Sequence, residues 1–577
     1  MMMKKILKKP VYLLALGFWS VCLYAQPPQI AVNQAGYYPQ MPKQAVVAGM
    51  PTATRFSIVS ESGDTVFEGQ LSEVRQSKNS SLVTRIADFT GLTQTGKYKV
   101  IVAGLVSPVF SIADHVQNEV AKAVIKGFYY QRVSMPLEER YAGIWARPAG
   151  HPDDKVVIHP SAATEQRPAG TVISSPGGWY DAGDYNKYIV NSGITMGTLL
   201  SAYEDFPAYF ATLNLNIPES DNPAPDILNE ILYNLRWMLT MQDPSDGGVY
   251  NKCTHANFDG MVMPGVTKDP RYIVQKGAAA TLDFAAVMAQ SARIYKSFPH
   301  VFPGLADSCL YAARKAWQWA LQFPGLEYNQ NEMNRRFEPQ IGTGGYGDRR
   351  FTDEWFWAAS ELYATTSEPE YAEVIKKNFP EQLSIPSWNN VDMLGVYTLF
   401  RTGNEQMMLQ TAKKQLLEMA GAFVRSVDEN AFAVVMGQSR RDFIWGSNAV
   451  AANQGILLIN AYQLTKDTQY LNAALSNTNY LLGQNATGYS FVTGIGSKQV
   501  MHPHHRPSEA DGIDAPVPGL LSGGPNPGKQ DRCSTYLYDE PETCFTDDVC
   551  SYASNEIAIN WNAPAVYLFN AIESLIK

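Results

Sequence analysis

The sequence predicts a mainly α protein, in which a helical toroid follows a small N-terminal β-sandwich. Three observations predict this fold class. The chain has 577 residues, more than one ordinary hydrophobic core holds. Apolar residues alternate with polar ones in short runs up to about residue 113, and from about residue 117 they recur at i, i+3 and i+4 spacing. A hydrophobic content of 45% against 18% charged residues is typical of a globular chain.

Residues 29–113 form the predicted β-sandwich. Alternating runs such as 44–48, 56–59, 82–89 and 97–102 are separated by glycine or polar turns. About seven strands in this length favour an immunoglobulin-type sandwich, although the cysteine pair of that fold is absent. The segment has no cluster of acidic residues or histidines, so we expect no catalytic role for it.

Residues 117–577 form the predicted catalytic domain. Their periodicity indicates roughly ten to twelve helices, which we expect to lie in pairs around one axis as an α/α toroid. Long loops rich in glycine and proline interrupt the helices at 145–180, 243–276, 324–352 and 484–551. Loops of this length are usually functional.

Residues 1–25 have the features of a signal peptide. Four lysines precede an apolar run from Val11 to Leu23, which is too short to span a membrane comfortably. We expect cleavage after Ala25 and an exported protein, periplasmic or secreted, without a membrane span. Removal of these lysines leaves 42 of the 46 basic residues against 55 acidic ones, a net charge of −13. Such a surface argues against a nucleic-acid partner.

The remaining cysteines are odd in number, so at least one is unpaired or intermolecular in an exported protein. Cys533, Cys544 and Cys550 share one loop, where a local disulfide is one option. Their spacing is unlike that of a zinc site, and the connectivity stays open.

Asp181 and Asp184 form the first candidate constellation. Ala182-Gly183 between them permits a tight turn that brings both carboxylates to one water. Two close carboxylates resist joint ionisation, which tunes one of them as a base. The alternative is an ordinary turn or helix cap, since Asp and Gly are common in turns.

The histidines of Met501-His502-Pro503-His504-His505-Arg506 form the second constellation. Adjacent histidines split by a proline converge poorly on one metal ion, and the arginine would repel it. Neutral imidazoles and a guanidinium that bind sugar hydroxyls fit better. Solvated surface histidines are the alternative.

Glu556 lies at the head of a helical pattern, amid aromatic and amide side chains that suit a sugar site. We expect it to be a general acid that protonates a departing glycosidic oxygen. The alternative is a helix-terminal Glu whose pKa the helix dipole lowers. Burial against Tyr552 or Trp561, together with the Asp pair, would have to outweigh that dipole.

These motifs together resemble glycoside hydrolase family 9, whose members hydrolyse β-1,4-glucans with inversion on an (α/α)6 barrel. The resemblance covers nearly the whole chain after residue 25, and the N-terminal segment resembles the immunoglobulin-like domain that precedes many such enzymes. It is carried by four segments in order: Ile30 to Tyr37, Asp181 to Asp184, Ser490 to Arg506 and Phe545 to Ala563.

The resemblance implies a role for each matched residue. Asp184 would be the general base, Asp181 would help hold the attacking water, and Glu556 would be the general acid. His504 and Arg506 would bind the sugar, with Asp547 supporting the site. Weaker expectations for residues that line the cleft are Tyr180, His255, Trp388, Trp445 and Trp561.

The resemblance also implies a structural calcium ion beside Asp353-Glu354, whose hard oxygens suit that ion. In this sequence Trp388-Asn389-Asn390 presents amides where an acidic ligand is expected, which argues against calcium. No cofactor is expected for the reaction itself.

The function that follows is an exported, inverting endo-β-1,4-glucanase with an open cleft, acting as a monomer on cellulose-like, mixed-linkage or xyloglucan chains. Inversion predicts that the two carboxyl groups lie roughly 6.5–9.5 Å apart. The alternatives are an exo-acting β-glucosidase or β-glucosaminidase on oligosaccharides, and a non-catalytic glucan-binding protein.

Overall fold

A computed structural model describes residues 26–403 and 406–576 of the chain. The signal peptide predicted over residues 1–25 lies outside these residues. Within the described ranges, none of the helices has the length and apolar character needed to cross a membrane.

The N-terminal domain consists of two antiparallel sheets packed face to face. One has the strand order β1-β2-β6-β5, and the other has the order β4-β3-β7-β8 with β9 also on β7. The predicted β-sandwich is therefore confirmed, and its core includes Val47, Ile58, Phe89 and Val100. The strands are β1 Gln29–Ala31, β2 Gln44–Ala48, β3 Arg55–Ser60, β4 Thr65–Gln70, β5 Arg75–Gln76, β6 Val83–Asp88, β7 Gly96–Val102, β8 Leu105–Val106 and β9 Phe110–Ile112.

The remainder of the described chain is mainly helical. The helices are α1 Asn118–Tyr130, α2 Glu139–Ala142, α3 Ile189–Asp205, α4 Pro207–Phe210, α5 Asp226–Thr240, α6 Ala278–Tyr295, α7 Leu305–Gln322, α8 Gln330–Arg336, α9 Thr352–Thr366, α10 Pro369–Asn378, α11 Asp392–Thr402, α12 Gln406–Glu429, α13 Ser447–Thr465, α14 Thr468–Leu481, α15 Arg506–Ala510, α16 Tyr552–Asn555 and α17 Ile559–Leu575.

The longer helices alternate between an inner and an outer ring. The inner helices α3, α6, α9, α11, α13 and α17 are buried around most of their circumference. Packing joins α17 to α3, α3 to α6, α6 to α9, α9 to α11 and α13 to α17. The outer helices α1, α5, α7, α10, α12 and α14 turn one apolar stripe toward that ring. This arrangement confirms the predicted (α/α)6 barrel.

Local sequence explains several helix ends. The Asn329 side chain caps α8 by accepting from the Glu332 amide, and the Asp467 side chain caps α14 by accepting from the Gln469 amide. Gly403, at φ +68°, ends α11 in the left-handed conformation that glycine adopts without strain.

The sequence pattern predicted neither the short helices nor one sheet. It indicated roughly ten to twelve helices, and the described chain has twelve longer helices and five short ones of four to seven residues, α2, α4, α8, α15 and α16. The long loops also contribute a sheet with the strand order β11-β10-β14-β13-β12. Its strands are β10 Val156–Ile158, β11 Val172–Ile173, β12 Lys187–Tyr188, β13 Lys252–His255 and β14 Arg271–Ile273. Strand β12 follows directly after the Asp181–Asp184 turn, so this sheet fixes the position of that turn.

Candidate active site

Backbone pairing brings the three distant motifs to one place. Ala182 pairs with Ala558, and His504 pairs with Glu556, through single β-bridges. The Ile559 amide donates to the Asp181 carbonyl at 2.8 Å. Residues more than three hundred positions apart thus share one hydrogen-bonded frame, which places their side chains around a common cleft.

Asp181 is 1% exposed and has both carboxyl oxygens occupied. The Asn191 amide donates to Oδ1 at 2.6 Å, and the Tyr346 hydroxyl donates to Oδ2 at 2.8 Å. Burial, and next the charge of Asp184, raise the pKa of Asp181 to about 8. Asp181 therefore holds a proton at neutral pH.

Asp184 is also buried, but its two donors use the same oxygen. The Asn186 amide donates to Oδ2 at 2.6 Å and the Tyr188 hydroxyl donates to Oδ2 at 3.1 Å. Oδ1 is thereby left to accept a hydrogen bond from a molecule in the cleft. Asn186 is itself fixed, because its Oδ1 accepts from Thr254 at 2.9 Å.

Glu556 lies in an extended segment, with φ −70° and ψ 155°, between α16 and α17. Helix α17 begins three residues later at Ile559, so Glu556 is outside the first turn, where a helix dipole acts most strongly. Burial, and next the charge of Asp184, raise the pKa of Glu556 well above its usual range. Arg506 and a hydrogen bond from the Gly183 amide oppose this shift. The side chain lines the cleft as a carboxyl that keeps its proton at neutral pH.

The histidine motif supplies one half-buried and one buried ring beside Glu556. Nδ1–H of His504 donates to the Val549 carbonyl at 2.6 Å, which leaves Nε2 as the free position of that ring. Burial lowers the pKa of His504, so the imidazole is neutral, as the sequence predicts. His505 instead points into the core, where its Nε2 contacts Gln131 Oε1 at 3.0 Å. Burial lowers its pKa to about 3.

Arg506 lies below the cleft, and its guanidinium donates hydrogen bonds to two backbone carbonyls. Its Nη1 donates to Gly183 at 2.6 Å and its Nε donates to Asp259 at 3.0 Å. Its guanidinium carbon lies 5.8 Å from the centre of the Phe258 ring. Arg506 therefore ties the Asp181–Asp184 turn to the loop that carries Phe258.

Asp547 acts on the backbone of the histidine motif. Its carboxylate accepts from the amides of Met501 and His502 at 2.9 and 2.8 Å, and from the Asn555 side chain at 3.3 Å. It thus links that motif to the residue before Glu556. The same loop is closed by a disulfide between Cys533 and Cys550, one of the pairings that the sequence left open.

The cleft has a volume of about 560 Å³, and its walls combine carboxyl groups with aromatic faces. Asp181, Asp184 and Glu556 line it together. The predicted platform residues Trp388, Trp445 and Trp561 also line it, and Trp445 is 42% exposed.

Tyr180 and His255 lie beneath the cleft and do not form its wall. Tyr180 is 1% exposed, and its hydroxyl contacts His151 Nδ1 at 2.8 Å. His255 is 2% exposed and contacts Asp259 through Nδ1 at 3.1 Å. His151, His255 and Asp259 each offer a ligand atom within 4.8 Å of the others, which makes them a candidate metal-ligating cluster.

Asp353 and Glu354 open α9 inside a group of buried acids. Asp353 Oδ2 accepts from the Val391 amide at 2.9 Å, while Glu354 Oε2 and Asp392 Oδ1 have no hydrogen-bond partner. Burial and the charge of Asp353 raise the pKa values of both Glu354 and Asp392, the latter to about 7. Asp392 follows Asn389-Asn390 by two residues, and it is close enough to Asp353 for that charge to act on it.

Sequence reasoning missed Tyr346, Tyr188, Asn186 and Asn191, which hold the two aspartates. A signal existed for Tyr346, because it is the one aromatic residue in Gly344-Gly345-Tyr346-Gly347 within a long loop. Asn186 and Tyr188 follow the aspartates closely in sequence, but the same spacing also fits a simple turn into a strand.

A cleft with aromatic walls that is lined by Asp181, Asp184 and Glu556, on an (α/α)6 barrel, is typical of a glycoside hydrolase, whose reaction needs two carboxyl functions. Comparison with known families gives the class more narrowly. Residues 118–569 match the model for glycosyl hydrolase family 9, and residues 25–107 match the model for the cellulase N-terminal ig-like domain. The chain belongs to glycosyl hydrolase family 9, as the sequence motifs predict.

Similar proteins agree over nearly the full length. A xyloglucan-specific endo-beta-1,4-glucanase of Bacteroides ovatus, BoGH9A, is 46% identical over 552 residues, which cover 95% of this chain and 94% of that protein. Endoglucanase D of Acetivibrio thermocellus is 33% identical over 551 residues, 93% of this chain and 82% of that protein. A solved structure of a Bacteroides ovatus family 9 protein superposes with a TM-score of 0.91 at 45% identity, covering 95% of this chain and 99% of that one.

Proposed function

We propose that this protein is an exported, inverting endo-β-1,4-glucanase that hydrolyses the backbone of xyloglucan. The observation that carries the proposal is the arrangement of Asp181, Asp184 and Glu556 around one aromatic cleft. The choice of xyloglucan rests on the 46% identity to an enzyme with that specificity.

Asp184 is the proposed general base. Its Oδ2 is fixed by Asn186 and Tyr188, so Oδ1 accepts the proton of the attacking water. Asp181 is neutral because burial raises its pKa to about 8, so it adds no second negative charge beside the proposed base. The activated water attacks the anomeric carbon from the face opposite the leaving group, and the anomeric configuration inverts.

Glu556 is the proposed general acid. It retains its proton because burial and the charge of Asp184 raise its pKa. The proton passes to the glycosidic oxygen as the bond to the anomeric carbon breaks. The neutral His504 ring beside it offers its free Nε2 as a hydrogen-bond acceptor for a sugar hydroxyl.

The cleft wall supports attack within a chain rather than at its end. Trp388, Trp445 and Trp561 lie along the same cavity as the carboxyl groups, and aromatic faces of this kind stack on successive pyranose rings.

Calcium fits the acidic group at the head of α9. Beside the half-buried Asp353, the buried Glu354 and Asp392 each present a carboxyl oxygen that has no hydrogen-bond partner among the described residues, and hard oxygen donors suit this ion. When bound, calcium would neutralise carboxyls whose burial otherwise favours their protonated forms. It would stabilise the fold without taking part in hydrolysis.

Product analysis tests the proposed activity. Wild-type protein is incubated with xyloglucan, mixed-linkage β-glucan and carboxymethylcellulose, and the products are sized by chromatography. Oligosaccharides of intermediate length from xyloglucan, released first as the α-anomer by NMR, are expected. Monosaccharide alone would favour the exo-acting alternative, a β-anomeric first product would refute inversion, and no cleavage of any polymer would favour a binding protein.

A further inference from the structure

A buried lysine lies directly beneath the proposed carboxyl pair. Lys252 begins β13 and is 0% exposed. Its ammonium donates to Gln330 Oε1 at 2.7 Å, Thr343 Oγ1 at 3.0 Å and the Gly344 carbonyl at 2.7 Å. Three N–H donors thus meet three neutral oxygens, and every donor is satisfied.

Lys252 lacks the acidic partner that two other buried lysines of the helical domain have, and in this it resembles Lys43 of the N-terminal domain, whose ammonium donates to backbone carbonyls. Lys187 pairs with Asp153 at 2.7 Å, and Lys276 pairs with Asp243 at 2.7 Å. Among the described residues, no carboxylate lies within ion-pair distance of Lys252. Burial of an unpaired ammonium costs several kcal/mol. Such a cost is expected where the charge or the hydrogen bonds serve function.

Lys252 is connected to Asp184 through the backbone of Gly344 and the hydroxyl of Tyr188. The Gly344 amide donates to the Tyr188 hydroxyl at 3.1 Å, and that hydroxyl donates to Asp184 Oδ2 at 3.1 Å. The Lys252 ammonium also lies 5.4 Å from the centre of the Tyr188 ring. Asp184 is the acidic group whose charge acts on Lys252.

Lys252 is also connected to Asp181, through the 343–346 loop and the hydroxyl of Tyr346. Thr343 and Gly344, both held by Lys252, are followed two residues later by Tyr346. The Tyr346 hydroxyl donates to Asp181 Oδ2 at 2.8 Å. The Gln330 side chain reinforces the loop, since its Nε2 donates to the Thr343 carbonyl at 2.6 Å.

We propose that Lys252 is a positioning residue for hydrolysis, which holds the 343–346 loop so that Tyr188 and Tyr346 orient the carboxyl pair, and whose charge favours the ionised base. The inference rests on the proposed function, because it assigns Lys252 to the same reaction. It acts through Tyr188, Tyr346 and the field of the ammonium, and Lys252 itself does not touch the substrate.

Several other groups also face Asp184, and the test must separate their effects from that of Lys252. They are the carboxyls of Asp181 and Glu556, the phenols of Tyr188 and Tyr346, and the His504 imidazole. Burial lowers the pKa of Lys252 to about 7, so its ammonium is fully charged on the acidic side of neutrality. The acidic limb of the activity profile is therefore where loss of its charge is measured.

The experiment compares Lys252→Met, Lys252→Arg and the matched control Lys276→Met. Lys276 is a buried lysine of the same domain without contacts to the carboxyl pair. The kcat and KM on an aryl cello-oligosaccharide are measured from pH 4 to 9, and melting temperatures are recorded. Lys252→Met is expected to lower kcat about tenfold and to move the acidic limb upward by about one pH unit, because removal of a nearby cation favours protonation of a carboxylate.

The Lys252→Arg and Lys276→Met variants distinguish a positioning role of Lys252 from a contribution to folding stability alone. Lys252→Arg should return the acidic limb toward the wild-type position, and Lys276→Met should lower the melting temperature without moving that limb. A Lys252→Met profile that coincides with wild type would overturn the inference. If Lys252→Met does not fold, Thr343→Val, which removes one acceptor, must lower kcat about threefold with a normal melting temperature; an unchanged kcat would refute it. Failure of wild type to cleave any glucan refutes the proposed function instead.

Discussion

Replacement of Glu556 by glutamine isolates the proton that this residue is proposed to donate. Glutamine has nearly the same shape, and its amide oxygen still accepts from the Gly183 amide. The backbone bridge between residues 504 and 556 does not involve the side chain. The variant should therefore fold normally and lose only the acidic proton.

The expected loss depends on the leaving group. General acid catalysis contributes about 10²- to 10⁴-fold, which corresponds to about 3 to 5 kcal/mol of barrier. Hydrolysis of xyloglucan, whose departing sugar oxygen needs a proton, should fall by this factor. Hydrolysis of a dinitrophenyl cellobioside should fall by less than about tenfold, because its leaving group departs without protonation.

The pH dependence of activity provides a second test of the proton that Glu556 is proposed to donate. Activity requires protonated Glu556, whose pKa is raised by burial and by Asp184, so wild-type activity is present at neutral pH and is lost as pH rises through that pKa. Glutamine has no proton to lose. On xyloglucan, whose departing oxygen needs the proton, the residual activity of Glu556→Gln should therefore show no alkaline limb.

The assay is steady-state kinetics on both substrates, with Glu542→Gln as the control. Glu542 is a buried acid outside the cleft, and burial raises its pKa as well. That variant should change the melting temperature and leave the ratio of the two rates unaltered. Equal losses by Glu556→Gln on both substrates would refute its role as the acid.

The remaining predictions concern the base, the cleft wall and the metal. Asp184→Asn should lower kcat about 10²- to 10⁴-fold on both substrates, since the water needs its base whatever group departs; a loss confined to xyloglucan would contradict this role. Trp445→Ala should raise KM for xyloglucan about tenfold with kcat nearly unchanged, because one stacking face is lost; an unchanged KM would remove Trp445 from the binding surface. Chelation should lower the melting temperature of wild type, restored by calcium, whereas Asp392→Asn should no longer respond to the chelator.

The sequence by itself determined the class of protein, and it predicted the three carboxyl residues that line the cleft. Helical periodicity and the order of Asp181, Asp184 and Glu556 within their motifs depend on local spacing, which the chain carries directly. The same local patterns predicted the β-sandwich and the barrel. The short helices α2, α4, α8, α15 and α16 were not predicted, because four to seven residues form at most two turns, too few for an apolar period to repeat.

The tertiary structure alone decided how those carboxyls are tuned. Tyr346 lies 165 positions from Asp181, yet donates to it, and such a contact depends on loop conformations that have no periodic signal. Helix α17 begins at Ile559, so Glu556 lies outside its first turn, where the helix dipole would lower the pKa of a carboxyl most strongly. This start position depends on the folded chain. Lys252 lies in an ordinary strand sequence, and its link to the carboxyl pair exists only because a sheet built from two separate loops folds beneath the cleft. Burial and long-range hydrogen bonding set the protonation of a site, and both are properties of the folded chain.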